Sequence, residues 1–243
     1  MTSLFAVVDG VKQAQSESGK PMGVVLAGHN GSGKSTLWYK RLADDFRIPL
    51  VNADRMMMSI LPEGHEGALP AWAAELRDND ASWMEVAQRG VQAFVAQAML
   101  RGVPFAMETV FSDWRAQPDG TIASKIDLIR EMQKAGYFVV LFFVGLSSAQ
   151  VSIARVATRV QAGGHAVDEK KLIERFPRTQ KAVAAALDVA DAAILLDNSR
   201  TQRHAFTACH VRLEKTTTYD LRRNKAAPPA EISAWLDKVV PTQ

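Results

Sequence analysis

A second cysteine is missing. Cys209 stands alone, which excludes an internal disulfide and any zinc site built from cysteine pairs; in a late apolar segment it reads as a small packing residue. Also missing is an apolar run approaching the roughly 20 residues needed to span a bilayer, and the N-terminus has no charged region leading into an apolar one. A cytoplasmic protein without a membrane segment is therefore expected. Charge of one sign is not in excess either: 29 Lys and Arg face 26 Asp and Glu, for a net +3, too even to argue for nucleic acid. A pI near 9.0 permits anionic substrates without selecting among them. Internal repeats and low-complexity linkers are absent. What remains, 47% hydrophobic and 23% charged residues over 243 positions, is enough to bury a sizeable core.

One stretch organises the rest. Residues 22–27 are apolar and run into Gly28-His29-Asn30-Gly31-Ser32-Gly33-Lys34-Ser35-Thr36, the G-x-x-x-x-G-K-[ST] pattern of a phosphate-binding loop. Its glycines let the backbone curl close to an oligophosphate, so that successive N–H groups converge on the anion. Lys34 supplies a point charge for β- and γ-phosphates and Ser35 a hydroxyl for Mg²⁺. Residues 36–42 read as a helix whose positive end lies under the phosphates.

Along the chain, residues 2–15 have the apolar spacing of a helix and 48–52 read as a short strand leading into Ala53-Asp54-Arg55. Ser82 to Glu85 has the pattern of a capping box opening a helix that Arg101-Gly102 stops. A strand over 103–107 ends in Glu108-Thr109, a polar loop follows over 112–120, and a helix is expected over 122–135. Residues 137–144 form an almost wholly apolar strand of the kind buried on both faces of a parallel sheet. A helix carrying Arg155 and Arg159 on one face leads into a Gly163-Gly164-His165 crossover. Then come a helix over 168–190, bent at Pro177, a strand over 192–197, a strand over 209–213 and a helix over 230–239. The alternation predicts one doubly wound α/β domain, a parallel sheet flanked by helices, with its core at 22–199, an N-terminal helix at 2–15 and a C-terminal extension at 205–243.

A phosphate loop alone does not separate a switch, a motor and a kinase. Switches and motors carry an apolar strand ending in Asp, and the best match, Ile194 to Asp197, comes late, where small P-loop kinases place the segment bordering the adenine. A kinase needs a carboxylate that takes a proton from the incoming hydroxyl and cations that neutralise the moving phosphoryl group. Asp54 and the Arg155/Arg159 pair meet those demands. The competing readings are a helix N-cap for Asp54, a solvated helix face for the arginines and a surface turn for Glu108.

In this order and spacing the chain resembles the zeta toxin family of bacterial toxin–antitoxin systems. The matching residues are the phosphate loop, Asn52-Ala53-Asp54, Glu108-Thr109, the arginine helix running into Gly163-Gly164-His165, and Asp197-Asn198-Ser199. The resemblance implies a P-loop kinase-like fold and transfer of phosphate from ATP or GTP, with Mg²⁺, to the 3′-hydroxyl of the amino sugar in UDP-N-acetylglucosamine. It implies Asp54 as the base, Lys34 and Ser35 as phosphate and Mg²⁺ groups, Arg155 and Arg159 at the γ-phosphate, Asn198 at the nucleotide, and Asn52, Glu108 and Thr109 at the acceptor. An antitoxin that covers the nucleotide site is implied as well. Two positions depart from the family: Val110 stands where a second threonine is common, and Gly164-His165 falls where a second phosphate-binding arginine is found, leaving Arg159 and Arg175 as candidates. Other acceptors (a nucleoside, an antibiotic or a nucleotide cofactor) and a nucleotide-dependent switch without transfer are the rival readings.

Overall fold

A computed structural model describes residues 3–62, 69–161, 164 and 166–241. Nine strands are present among them: β1 (Met22–Gly28), β2 (Leu50–Val51), β3 (Phe105–Thr109), β4 (Trp114–Ala116), β5 (Ile122–Ser124), β6 (Phe138–Gly145), β7 (Ala192–Asp197), β8 (Thr207–Leu213) and β9 (Thr216–Asp220). Seven build one sheet in the order β2-β3-β1-β6-β7-β8-β9. The first five of these run parallel, and β8 and β9 are antiparallel additions at one edge. The expected parallel sheet is thus a mostly parallel one, and β9 was not foreseen.

The period-2 alternation of strand side chains divides the core in two. Val25, Leu141, Phe143 and Leu195 point to one face, covered by α6 (Ala81–Arg101), α7 (Ile126–Lys134), α9 (Glu169–Leu187) and α10 (Ala230–Val239). Val24, Leu26, Val140, Phe142 and Ile194 point to the other, covered by α1 (Leu4–Ser18) and by the helical path after the phosphate loop. With both faces covered, β6 is buried along its whole length, and a side chain such as Phe142 contributes about 1.5–3 kcal/mol. Around the core, α1 is capped by Ser3 and ended by Gly19 in the left-handed region. The path after β1 is α2 (Lys34–Leu37), a π-helical turn at Trp38–Leu42 and α3 (Ala43–Phe46), where an uninterrupted α-helix was expected.

Two expectations are corrected. The cap of α6 is Asp80, whose Oδ1 accepts from the backbone N–H of Ser82 and Trp83; the Ser82–Glu85 pattern lies inside the first turns. The loop expected over 112–120 and the helix start expected at 122 are instead a hairpin, β4 pairing with β5. Asp119 closes its turn by accepting from Thr121 N–H and Oγ1, which hides a strand in front of a helix that begins only at Ile126. The helix carrying Arg155 and Arg159 is α8 (Ala149–Gln161), and of the crossover after it Gly163 and His165 lie outside the described residues. Cys209 is fully buried in β8, and burial pushes its thiol up, as a packing residue requires.

Candidate functional site

Because β1, β2, β3, β6 and β7 are parallel, their C-terminal ends share one edge, where open α/β sheets bind ligands. In register, Leu26 pairs with Glu108, Ala27 with Thr109 and Gly28 with Val144. The phosphate loop rises from the middle of that edge. Gly33 has φ 92° and caps α2, and Gly31 has φ 69° where a Cβ would stand 3.0 Å from Arg155 Cβ. Side chains there would be strained and would push α8 away.

The loop is held from several sides. Lys34 is buried, and its ammonium donates to the carbonyls of Gly28 at 3.0 Å and His29 at 3.1 Å. Ser152 of α8 donates to Asn30 O at 2.7 Å, and Asn198 Nδ2 donates to Ser32 O at 2.8 Å. His29 is stacked on Phe176 of α9 with ring centroids 3.9 Å apart. Burial, then the Lys34 charge, lowers its pKa to about 3, so its ring is neutral. His29 Nε2 and Ser32 Oγ are buried without a hydrogen-bond partner among the described residues. Thr36 is exposed on α2.

Three elements bring charge to Lys34. Burial lowers its pKa, the negative charges of Glu108 and Asp54 push it back up, and Arg159 lowers it further. Asp54 is exposed in the first turn of α4 (Ala53–Ser59). The cap of that helix is Asn52, whose Oδ1 accepts from Arg55 N–H at 3.2 Å; the N-cap reading therefore belongs to Asn52 and leaves the Asp54 carboxylate unspent. Glu108 is not a surface turn. Its carboxylate accepts from Ser35 Oγ at 2.9 and 3.1 Å and lies 3.9 Å from Lys34 Nζ. Thr109 Oγ1 accepts from Phe111 N–H, shaping the turn after β3, and the neighbouring Val110 O accepts from Thr179 of α9.

Arg155 and Arg159 lie one turn apart on α8. Arg155 is half-buried, which lowers its pKa against the opposing charge of Asp197. Arg159 is exposed near the end of α8, where Gly164 N–H donates to its carbonyl. Arg175 lies on α9, beside Phe176. Asp197, the late strand-end acid, is fully buried and receives Trp235 Nε1, Ser199 Oγ and Arg200 Nε.

Sequence reasoning thus missed the partnership of Ser35 with Glu108, although Phe105-Ala106-Met107-Glu108 is itself an apolar strand ending in an acid. It also missed Ser152 and Trp235, for which nothing local gives a signal. A cavity of about 600 Å³ lies elsewhere, lined by Trp114, Ser124 and Arg130 among others, and contains no predicted site residue.

A hydroxyl beside a carboxylate is a hard-oxygen pair of the kind Mg²⁺ takes, since Mg²⁺ uses one or two protein groups with water and phosphate oxygens. No cluster of three or more His, Cys, Asp or Glu able to hold a metal occurs among the described residues.

Residues 6–205 match the sequence model of the family described as Zeta toxin. The chain belongs to the zeta toxin family. An uncharacterised protein of Haemophilus influenzae is 27% identical over 153 residues, 63% of this chain and 91% of that one. A chain from the PezAT chromosomal toxin–antitoxin system of Streptococcus pneumoniae superposes with a TM-score of 0.53 at 10% identity, over 97% of this zeta toxin relative and 89% of that chain. An AvrRxo1-ORF1:-ORF2 complex with ATP gives a TM-score of 0.47 at 14% identity, over 87% and 67% of the two chains. Family and fold together make this chain a P-loop phosphotransferase. No helix among the described residues is long and apolar enough to cross a membrane.

Proposed function

We propose that the chain transfers the γ-phosphoryl group of ATP or GTP to a hydroxyl of a UDP-activated amino sugar, UDP-N-acetylglucosamine by its family membership. The observation that carries the reading is the convergence of Lys34, Ser35, Glu108 and Asp54 from three elements on the mouth of one phosphate loop.

In this reading the loop amides and Lys34 hold the β- and γ-phosphates. Ser35 and Glu108 would hold Mg²⁺, which supplies positive charge at the phosphate oxygens. Glu108 thereby moves from the acceptor side, where the family resemblance put it, to the ion side, because its carboxylate is on the Ser35 hydroxyl. Asp54 accepts the proton of the acceptor hydroxyl as the new O–P bond forms. The bond from the γ-phosphorus to the bridging oxygen breaks, and its electron pair leaves with the nucleoside diphosphate. Arg155 and Arg159 balance charge on the moving group, with Arg175 on α9 the other candidate for the second arginine. Asn52 and Thr109 flank the acceptor, and Asn198 borders the nucleotide. A cytoplasmic setting and an antitoxin partner over the nucleotide site complete the proposal; the PezAT neighbour is part of a toxin–antitoxin system.

The test is a mass-spectrometric screen of the protein with ATP or GTP, Mg²⁺ and a panel of UDP-sugars, nucleosides and other hydroxyl compounds. One added phosphate on UDP-N-acetylglucosamine supports the proposal. Phosphate on another compound alone moves the acceptor assignment, and no phosphorylated product from any of them contradicts the transfer itself.

A further inference from the structure

The family match ends at residue 205, yet the segment beyond it reaches back to the ends of β6 and β7. Trp235 of α10 is fully buried, and its indole does two things at once. Its Nε1 donates to Asp197 Oδ1 at 3.0 Å, at the end of β7. Its ring lies against Gly145, at the end of β6, so closely that a Cβ there would stand 2.5 Å from Trp235 Cε2. These two strand ends are themselves joined, because Asn198 N–H donates to Gly145 O at 3.1 Å. The residue after Asp197 is Asn198, whose amide donates to Ser32 O inside the loop, and a Cβ on Gly33 would stand 2.7 Å from that same amide nitrogen. A continuous path of direct contacts therefore runs from Trp235 through Asp197 and Asn198 to Ser32.

We infer that Trp235 is a positioning residue for nucleotide binding: its N–H fixes the Asp197 carboxylate, and through it the Asn198 amide that braces the phosphate loop. The C-terminal segment, outside the family match, is then a working part of the phosphate site. A donor is required at this place because Asp197 is wholly buried, and a buried carboxylate short of one hydrogen bond turns or draws its neighbours to recover it. Asn198 follows directly in the chain and moves with it. The loop is a binding surface for the phosphates in ground state and transition state alike, so loosening it weakens binding more than turnover.

The experiment measures Mg²⁺-ATP affinity, KM and kcat for Trp235→Phe, for Asn198→Ala and for the double variant, well below each melting temperature. Trp235→Phe is expected to lose about 2- to 12-fold in ATP affinity, the worth of one ordinary hydrogen bond, with a smaller change in kcat. Because both residues act on one path, the double variant should bind ATP no more weakly than Asn198→Ala alone. A benzothienylalanine at 235, which keeps the ring shape and lacks the N–H, should reproduce the loss without the packing change of phenylalanine. Normal ATP affinity in the benzothienylalanine protein, or losses that multiply in the double variant, would overturn the inference and leave Trp235 a packing residue. The inference rests on the nucleotide reading of the loop, and Lys34→Ala separates the two: normal ATP binding in that variant sinks the reading, whereas loss there with normal binding in the position-235 variants sinks only the inference.

Discussion

β3 and β7 flank the β1–β6 pair in the sheet, and each runs through apolar residues into one acid, Glu108 and Asp197. The acids end in different work. Glu108, next to β1, meets the Ser35 hydroxyl and Lys34 of the phosphate loop. Asp197, one strand further from β1, turns inward to Trp235, Ser199 and Arg200 and is closed to solvent. A carboxylate at the end of an apolar strand is therefore not a site by virtue of its pattern. Its neighbour in the sheet decides, and sheet order is what a sequence states least directly. One side of the crevice, with Asp54 and Glu108, carries the proposed chemistry; the other braces the loop that serves it.

The division breaks most easily at Asp54. On the proposed reading Asp54→Asn should lower turnover about 10²- to 10⁴-fold while ATP affinity stays close to normal, since the loop and Lys34 hold the phosphates without it. Steady-state kinetics with the true acceptor check this, and near-normal turnover would remove Asp54 from the reaction. Its capping alternative is already excluded by Asn52.

The arginines of α8 sharpen the contrast. Arg159 acts on Lys34, whereas Arg155 is opposed by Asp197 on the bracing side. Arg159→Ala should then cost about 10²-fold in kcat, in the range for removing one group that stabilises a developing charge, and Arg155→Ala less. Equal losses, or a larger one at Arg155, would place the transferring group nearer β7.

Acid should act on both sides with smaller effects. His29, in the loop, has its pKa lowered by burial and by Lys34 from 6.5 to about 3. Between those values the unfolded chain binds a proton that the folded chain refuses, so stability falls as pH drops from about 6.5 toward 3. Burial also lowers the pKa of His210, on β8, adding to the same slope. Asp220, on β9 beside β8, is raised by burial but lowered more by the hydrogen bonds of Arg222 and His210, to about 2. Its contribution is present above the ordinary carboxylate value and is lost only as pH falls from about 4 to 2. Melting temperatures across pH should show a decline starting near neutrality that His29→Gln flattens; an unchanged slope in that variant would mean that His29 is not buried neutral.

Much of this was legible beforehand for a local reason. The phosphate loop, the wholly apolar β6 and the Asp54 turn each lie within a few consecutive residues, so periodicity and spacing suffice. The hairpin β4–β5 was missed because the apolar spacing from Ile122 onward is also that of a helix, and only the Asp119–Thr121 turn decides. Ser35 and Glu108 are 73 residues apart, and Asp197 and Trp235 are 38 apart. Pairings at such separations come from sheet order and helix packing, which no local pattern encodes. The late position of Asp197 points to the segment bordering the adenine, and the same strand-end pattern at Glu108 lies earlier in the chain, beside β1.

The most direct test of the contrast is a Mg²⁺ titration of ATP affinity in Glu108→Gln and Asp197→Asn. On this account Glu108→Gln needs at least about 10- to 100-fold more Mg²⁺ for half-maximal affinity, because losing a ligand costs no less than losing a group that orients one. Asp197→Asn should bind ATP more weakly at every concentration and melt lower, while its Mg²⁺ midpoint matches that of the unaltered protein. A shifted midpoint in Asp197→Asn with an unchanged one in Glu108→Gln would contradict the account.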